Sequence, residues 1–269
     1  MALAGIAMTI ICTILAYVFR HSDFLLAIFV GLATLALTDA LHRMSVLEKQ
    51  FIWPTLLCAT IWRRREVRVS ISYLFSIPVQ DEQLLIRGTR INTQFQPVGG
   101  VFKSYLSDTE MIQRFSARPD SRFSPDAASS HALRVRLPGR NLYKIIRWFR
   151  SRKERELFPI REFYGELIEP GHLDRETFKV FDCRFIGLRH FPLKFDTYSQ
   201  CMQIIVAEVY ELKATDEQQQ ALAALRSQPS NTRPDIHFAT NTEIIHRGAI
   251  AGSNAQFDLA PTTEWLVRL

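Results

Sequence analysis

Hydrophobic and polar positions fall into two regimes along this chain. Residues 3–19 form an apolar run broken only by Thr9 and Thr13. Arg20, His21, Ser22 and Asp23 interrupt it, and residues 24–41 form a second run carrying Thr34, Thr38 and Asp39. Each run is about 17 or 18 residues, the short end of what crosses a hydrocarbon core. A cleaved signal peptide does not fit the first run, because no Lys or Arg precedes it and a second run follows at once. The pattern predicts a two-helix transmembrane hairpin, with a buried hairpin as the alternative. His42, Arg43, Lys49 and Arg63 to Arg65 lie after the second run, so the positive-inside rule places both ends of the hairpin in the cytoplasm. Asp39 is then expected at the cytoplasmic end, reaching headgroups or facing a pore in an oligomer. Residues 51–62 (FIWPTLLCATIW) are apolar but too short to span. With Trp53, Trp62 and the arginine triplet they read as an interfacial segment.

From Arg63 onward the pattern changes. Residues 67–79 alternate and are rich in β-branched and aromatic side chains, which predicts a strand. Residues 83–88 pair with it across a turn, and residues 95–101 lead into a paired-glycine turn at Gly99 and Gly100. A short helix is expected at 111–115, a polar loop at 116–130 and a strand at 133–137. Residues 142–152 predict an amphipathic basic helix, with Ile145, Ile146, Trp148 and Phe149 inward and Lys144, Arg147 and Arg150 outward. Pro159 suits the first turn of the next helix, which Pro170 and Gly171 end after about Ile168. Residues 178–190, broken near Gly187, and residues 200–212 predict strands, and residues 215–225 a helix. The sum is an α+β fold: a transmembrane hairpin plus interfacial segment over 1–62, then a mixed-sheet domain over 63–269.

The net charge of +6 suggests an anionic partner such as lipid headgroups, nucleotide phosphates or nucleic acid. A solvated basic surface is the plainer alternative. None of Cys12, Cys58, Cys183 and Cys201 forms a CxxC pair, so they read as small buried hydrophobes with free thiols. The histidines show no metal-ligand spacing, and neither GxSxG nor GxxxxGK[ST] occurs.

Candidate chemistry centres on Arg161-Glu162-Phe163-Tyr164-Gly165-Glu166. Helical spacing puts Glu162 and Glu166 on one face, able to share one metal ion, while Gly165 offers no ligand there. A strand hairpin, a Pro-x-Gly-Gly turn and a helix with Arg-Glu-aromatic-x-x-Glu resemble the Nudix fold. In that superfamily the helix carboxylates bind Mg²⁺ and activate water against a nucleoside diphosphate linkage. The chain departs from the pattern: Gly165 replaces a glutamate, Ile168 a glycine, and the glycine turn lies about sixty residues before Arg161. RVSISYLF, QFQPVGGVFK and REFYGELIEPGHL, in that order behind two apolar runs, resemble the CBASS anti-phage effector with two transmembrane helices and a SMODS-associated Nudix-like domain.

That resemblance implies a bacterial inner-membrane sensor. A cyclic di- or trinucleotide binds the soluble domain, the protein forms a homo-oligomer, and the hairpin disrupts the lipid bilayer. Phosphates are expected at Arg87, Arg90 and Lys103, bases stacked on Phe95 and Tyr105, and base edges read by Gln94 and Gln96. The alternative is that Phe95 is core and the cations are solvated. No catalysis is expected, and no cofactor. If the domain is active, Glu162 and Glu166 carry Mg²⁺, with Glu169 in reach if the helix frays. The alternatives are an inner-membrane Nudix hydrolase of a nucleoside diphosphate derivative and an adaptor that uses the basic helix.

Overall fold

The computed structural model describes residues 2–19, 22–45, 49–88, 93–120, 131–158, 160–250, 252 and 256–267. In chain order the helices and strands are α1 (Ala2–Val18), α2 (Asp23–Ser45), α3 (Lys49–Ala59), β1 (Glu66–Ser76), β2 (Pro78–Val79), β3 (Glu82–Arg87), β4 (Gln94–Pro97), β5 (Gly99–Val101), α4 (Asp108–Phe115), β6 (Arg118–Pro119), β7 (Arg134–Pro138) and α5 (Leu142–Arg150). They continue as α6 (Ile160–Phe163), β8 (Asp182–His190), β9 (Lys194–Asp196), β10 (Cys201–Lys213), α7 (Asp216–Ser227), β11 (Ile236–Thr240), α8 (Asn241–Ile245), β12 (Asp258–Leu259) and α9 (Glu264–Val267). Two compact units emerge. The first comprises Met1–Val69, Tyr105–Arg155 and Pro192–Ile204, and the second Ser70–Ser104, Glu156–Phe191 and Ile205–Leu269.

The membrane reading of the amino-terminal region is corrected here. Among the described residues, no helix is long and apolar enough to cross a membrane. The two expected spans are helices, but α1 has 17 residues, about 26 Å of rise against a core of about 30 Å. Helix α2 has 23, but Asp23 opens it and Asp39, His42 and Arg43 fall in its later turns. The inner-membrane placement inferred from these runs goes with them. The side chain of Asp39 lies outside the described residues.

Within the first unit α1 packs along α2, with Thr9 Oγ1 donating to Ala33 O at 3.4 Å and Phe19 stacked on Phe29 at 5.8 Å. Cys12 and Ala16 are buried, whereas Met8, Ile10, Ile14, Phe24, Val30 and Leu35 stay exposed. Helix α3, expected at a lipid interface, instead lays one face on protein. Phe51 and Cys58 are buried, and the helix contacts α5 and the turn Gly139–Asn141. Gly139 is required there: a Cβ would sit 2.5 Å from Trp62 O and 2.7 Å from Cys58 O. Helix α5 buries Leu142, Ile145, Ile146 and Phe149 as its period dictates, while Trp148 is half-buried against Phe115.

A buried charge network also belongs to this unit. Asp120 accepts from Arg68 Nε at 2.6 Å and from Arg136 Nε at 2.8 Å. Arg136 also meets Glu66 Oε1 at 2.7 Å and donates to Ser199 O at 3.1 Å. Burial would raise the Asp120 carboxyl, but the two guanidinium groups outweigh it and hold it below the usual carboxylate range.

In the second unit β5 lies antiparallel on β1, with Ser72 opposite Val101 and Leu74 opposite Gly99. Strand β8 lies antiparallel on β10, and the register shifts between Val209 and Tyr210, next to the Gly187 break foreseen in the sequence. A second sheet has the order β11-β3-β4-β12, with β12 parallel to β4. Leu74, Leu85, Phe95, Val209, Ile244, Leu259 and Leu266 form its core cluster. An aromatic cluster surrounds Phe163, whose ring lies 5.6 Å from Phe75, 4.3 Å from Phe181 and 5.9 Å from Phe178. Thr215 opens α7 with a reciprocal cap to Gln218.

Removing Asp120 takes from buried Arg68 and half-buried Arg136 the carboxylate they share, and leaves Arg136 with the exposed Glu66. Asp120→Ala is therefore expected to lose about 3–5 kcal/mol in urea unfolding, and Arg68→Met with Asp120→Leu to recover most of it. A single-mutant loss below about 1 kcal/mol contradicts the network's role.

Candidate functional site

The acidic segment folds as a short helix that widens. Ile160–Phe163 are α-helical and Tyr164–Ile168 are π-helical, with Glu169 N donating to Tyr164 O at 2.9 Å. Such bulges are common at functional sites. Phe163 and Leu167 are fully buried, which fixes the helix on the aromatic cluster and turns Glu162 and Glu166 toward β5.

The glycine pair explains how the helix comes so close. The two glycines are paired into β5 instead of forming a turn. Gly99 has φ +155°, and a Cβ on it would lie 2.2 Å from Tyr73 O. A Cβ on Gly100 would lie 2.4 Å from Glu162 Cγ. With no side chain at Gly100, Glu162 lies directly over the strand, and Glu166 Oε2 accepts the Gly99 N–H at 3.0 Å. Burial pushes the Glu166 carboxyl up to about 8; the Gly99 N–H opposes this, and the charge of Glu162 adds to it.

Arg161 supplies the positive charge. Its Nη1 donates to Glu162 Oε1, its Nη2 donates to Val101 O at 3.1 Å, and its Nε lies 3.6 Å from Glu156 Oε1. Glu156 is itself fixed: its Oε2 accepts Lys103 N at 3.1 Å and its N donates to Lys103 O at 2.9 Å. The chain leaves the second unit after Ser104 and returns at Glu156, so this pair ties exit to return. Tyr73 is fully buried beneath the cluster, with no hydrogen-bond partner of good geometry for its hydroxyl. Burial, then the charge of Glu156, push that hydroxyl's pKa far up, so it stays neutral.

The Mg²⁺ that a Nudix resemblance implies does not fit this arrangement. Glu162 is engaged by Arg161 and Glu166 by Gly99. Gly165 adds no ligand, and Glu169 is exposed. Among the described residues no group of three or more His, Cys, Asp or Glu is placed to hold a metal ion. The absence at 165 is not steric, because a Cβ there would meet nothing within 4 Å.

Of the residues expected to bind ligand, Arg87, Gln94, Phe95 and Gln96 lie together on the paired strands β3 and β4, whereas Lys103 and Tyr105 follow β5. Arg87 donates to Pro234 O from Nη2 at 2.7 Å, pairs with Asp235 at 3.2 Å and lies over the Phe95 ring at 4.9 Å. Phe95 is core, 5.1 Å from His237 and 6.0 Å from Phe257. Gln94 and Gln96 share the other, half-buried face of β4, and Gln94 Nε2 donates to Asp258 at 3.2 Å. Lys103 is half-buried beside Glu156. Tyr105 is exposed and belongs to the first unit. Arg90 and Pro159 lie outside the described residues. Sequence reasoning missed Glu156 and Tyr73. The alternation of β1 already put Tyr73 on the face of Ile71 and Phe75, but nothing local marks Glu156, which arrives by chain return.

Glu166 gives the site a pH signature. Its folded pKa lies above the unfolded value, so the folded state binds the extra proton between roughly pH 4.5 and 8 and stability falls as pH rises through that window. Urea titrations are expected to show a loss of about 2–4 kcal/mol across it that Glu166→Gln abolishes. A wild-type profile that runs parallel to the variant's refutes the assignment.

No curated protein matches the chain. No solved structure matches it either. Residues 66–267 match the family described as SMODS-associated NUDIX domain. That span takes in every strand of both sheets and the acidic helix, so the chain belongs to the SMODS-associated NUDIX domain family.

Proposed function

We propose that this chain is a sensor, the effector of a CBASS-type anti-phage system, whose Nudix-like domain binds a cyclic di- or trinucleotide without cleaving it. The observation that carries this reading is the engagement of both helix carboxylates, Glu162 by Arg161 and Glu166 by the Gly99 N–H. Hydrolysis needs those oxygens on a metal or a water, whereas binding does not. Membership of the SMODS-associated family supports the signalling context. Arg87, Gln96 and Lys103 are the proposed contacts, with Arg87 exchanging Asp235 for phosphate. Phe95, buried in the core, is left out of the proposed contacts.

The bound state is proposed to favour a homo-oligomer built through α1 and α2. Their exposed Met8, Ile10, Ile14, Phe24, Val30 and Leu35 form the kind of apolar surface that marks association. A ligand shifts that equilibrium only by its differential affinity for the assembled form.

Calorimetry of the full chain with cyclic di- and trinucleotides tests the proposal. Saturable binding is expected, with the nucleotide recovered intact and Lys103→Ala weakening affinity about tenfold, the worth of one charge-assisted hydrogen bond. Light scattering is expected to show growth of the assembly on addition of the same nucleotide. Turnover of nucleoside diphosphate derivatives that vanishes in Glu162→Gln instead establishes the hydrolase reading.

A further inference from the structure

We infer that Arg161 is the resident cation of this site, standing among oxygens of three chain segments and keeping a divalent ion from them. Its guanidinium meets Glu162 of its own helix, Val101 O of β5 at 3.1 Å, and Glu156 of the returning segment at 3.6 Å. This is an oxygen-lined surround of the type that suits a hard cation, filled by a side chain. Two features make the occupancy permanent. Arg161 adjoins Glu162 in the chain, so its effective concentration at the carboxylate is set by the fold. A guanidinium also keeps its charge at every physiological pH, so no proton loss vacates the position.

A metal ion entering here has to displace the guanidinium from two carboxylates, leaving a half-buried cation without counter-ions. Glu166, the fourth oxygen-bearing group, has one oxygen on the Gly99 N–H. Arg161 Nε is buried without a hydrogen bond of its own, so the guanidinium is held chiefly by charge and by its two outer nitrogens. The site therefore works without Mg²⁺, and Glu156 and Glu162 become available to a divalent ion only when Arg161 loses its charge.

The test uses metal alone, so its outcome is separate from nucleotide binding. Mn²⁺ is titrated into the full-length protein and followed by water-proton relaxation. Wild type is expected to show no saturable binding up to the millimolar range. Arg161→Met is expected to bind at least about tenfold more tightly, and adding Glu162→Gln to abolish the gain. The melting temperature of Arg161→Met is expected to rise with Mn²⁺ while that of wild type stays constant. Wild-type binding that Glu162→Gln removes overturns the inference, as does a folded Arg161→Met that gains no affinity. If Arg161→Met does not fold, the wild-type titration decides alone: no saturable binding upholds the inference, and binding lost in Glu162→Gln refutes it.

Discussion

The second unit depends on one close approach: an acidic helix laid over a strand at two successive glycines. Gly99 and Gly100 remove the Cβ atoms that would collide with Tyr73 O and the Glu162 side chain. Phe163 and Leu167 hold the helix from its other face. The carboxylates are thereby driven into a space with little water, where each needs a partner. Glu166 finds a backbone N–H and Glu162 finds Arg161. The electrostatic character of the site follows from that steric constraint. In an exposed helix the same two glutamates would have been solvated and ordinary.

Much of the domain over 66–267 was legible in its residues because local patterns and burial agree there. The alternation over 67–79, the apolar density over 200–212 and the amphipathic stretch at 142–152 correspond to β1 with β2, β10 and α5. The segments that misled did so for physical reasons. Apolar runs of 17 or 18 residues read equally as spans or as buried helices, and among the described residues no helix is long and apolar enough to span. The Gly-Gly pair carries the local signature of a turn, yet it is held in β5 by pairing with β1, a long-range contact. Glu156 was invisible because its partner Lys103 is 53 residues away. Arg161, read as a neighbour in a motif, proved to be the hub of the charge arrangement.

The two units distribute polar burial differently. In the first, Asp120 is shared by two arginines, a network whose energetic value lies in not leaving any member alone. In the second, the acidic groups outnumber the cation: Glu156 and Glu162 share Arg161, and Glu166 stays close to neutral by burial. The first arrangement suits a fixed scaffold. The second leaves charge near balance, so an arriving anion or cation changes it. The open space beside Gly165 belongs to the same picture, since the missing carboxylate is a matter of chemistry and not of room.

The Lys103–Glu156 tie has a consequence for the order of folding. Roughly fifty residues separate the strand side of the site from its helix side, and closing a chain segment of that length costs about 3–4 kcal/mol of entropy. The pairing of β1 with β5 closes a shorter loop, from Leu74 to Gly99, and can form first. Docking of the helix has to wait for the ends of that long excursion to meet. The carboxylate cluster is thus a late-forming contact. It is the part of the second unit whose loss needs no unravelling of the strand pairing beneath it.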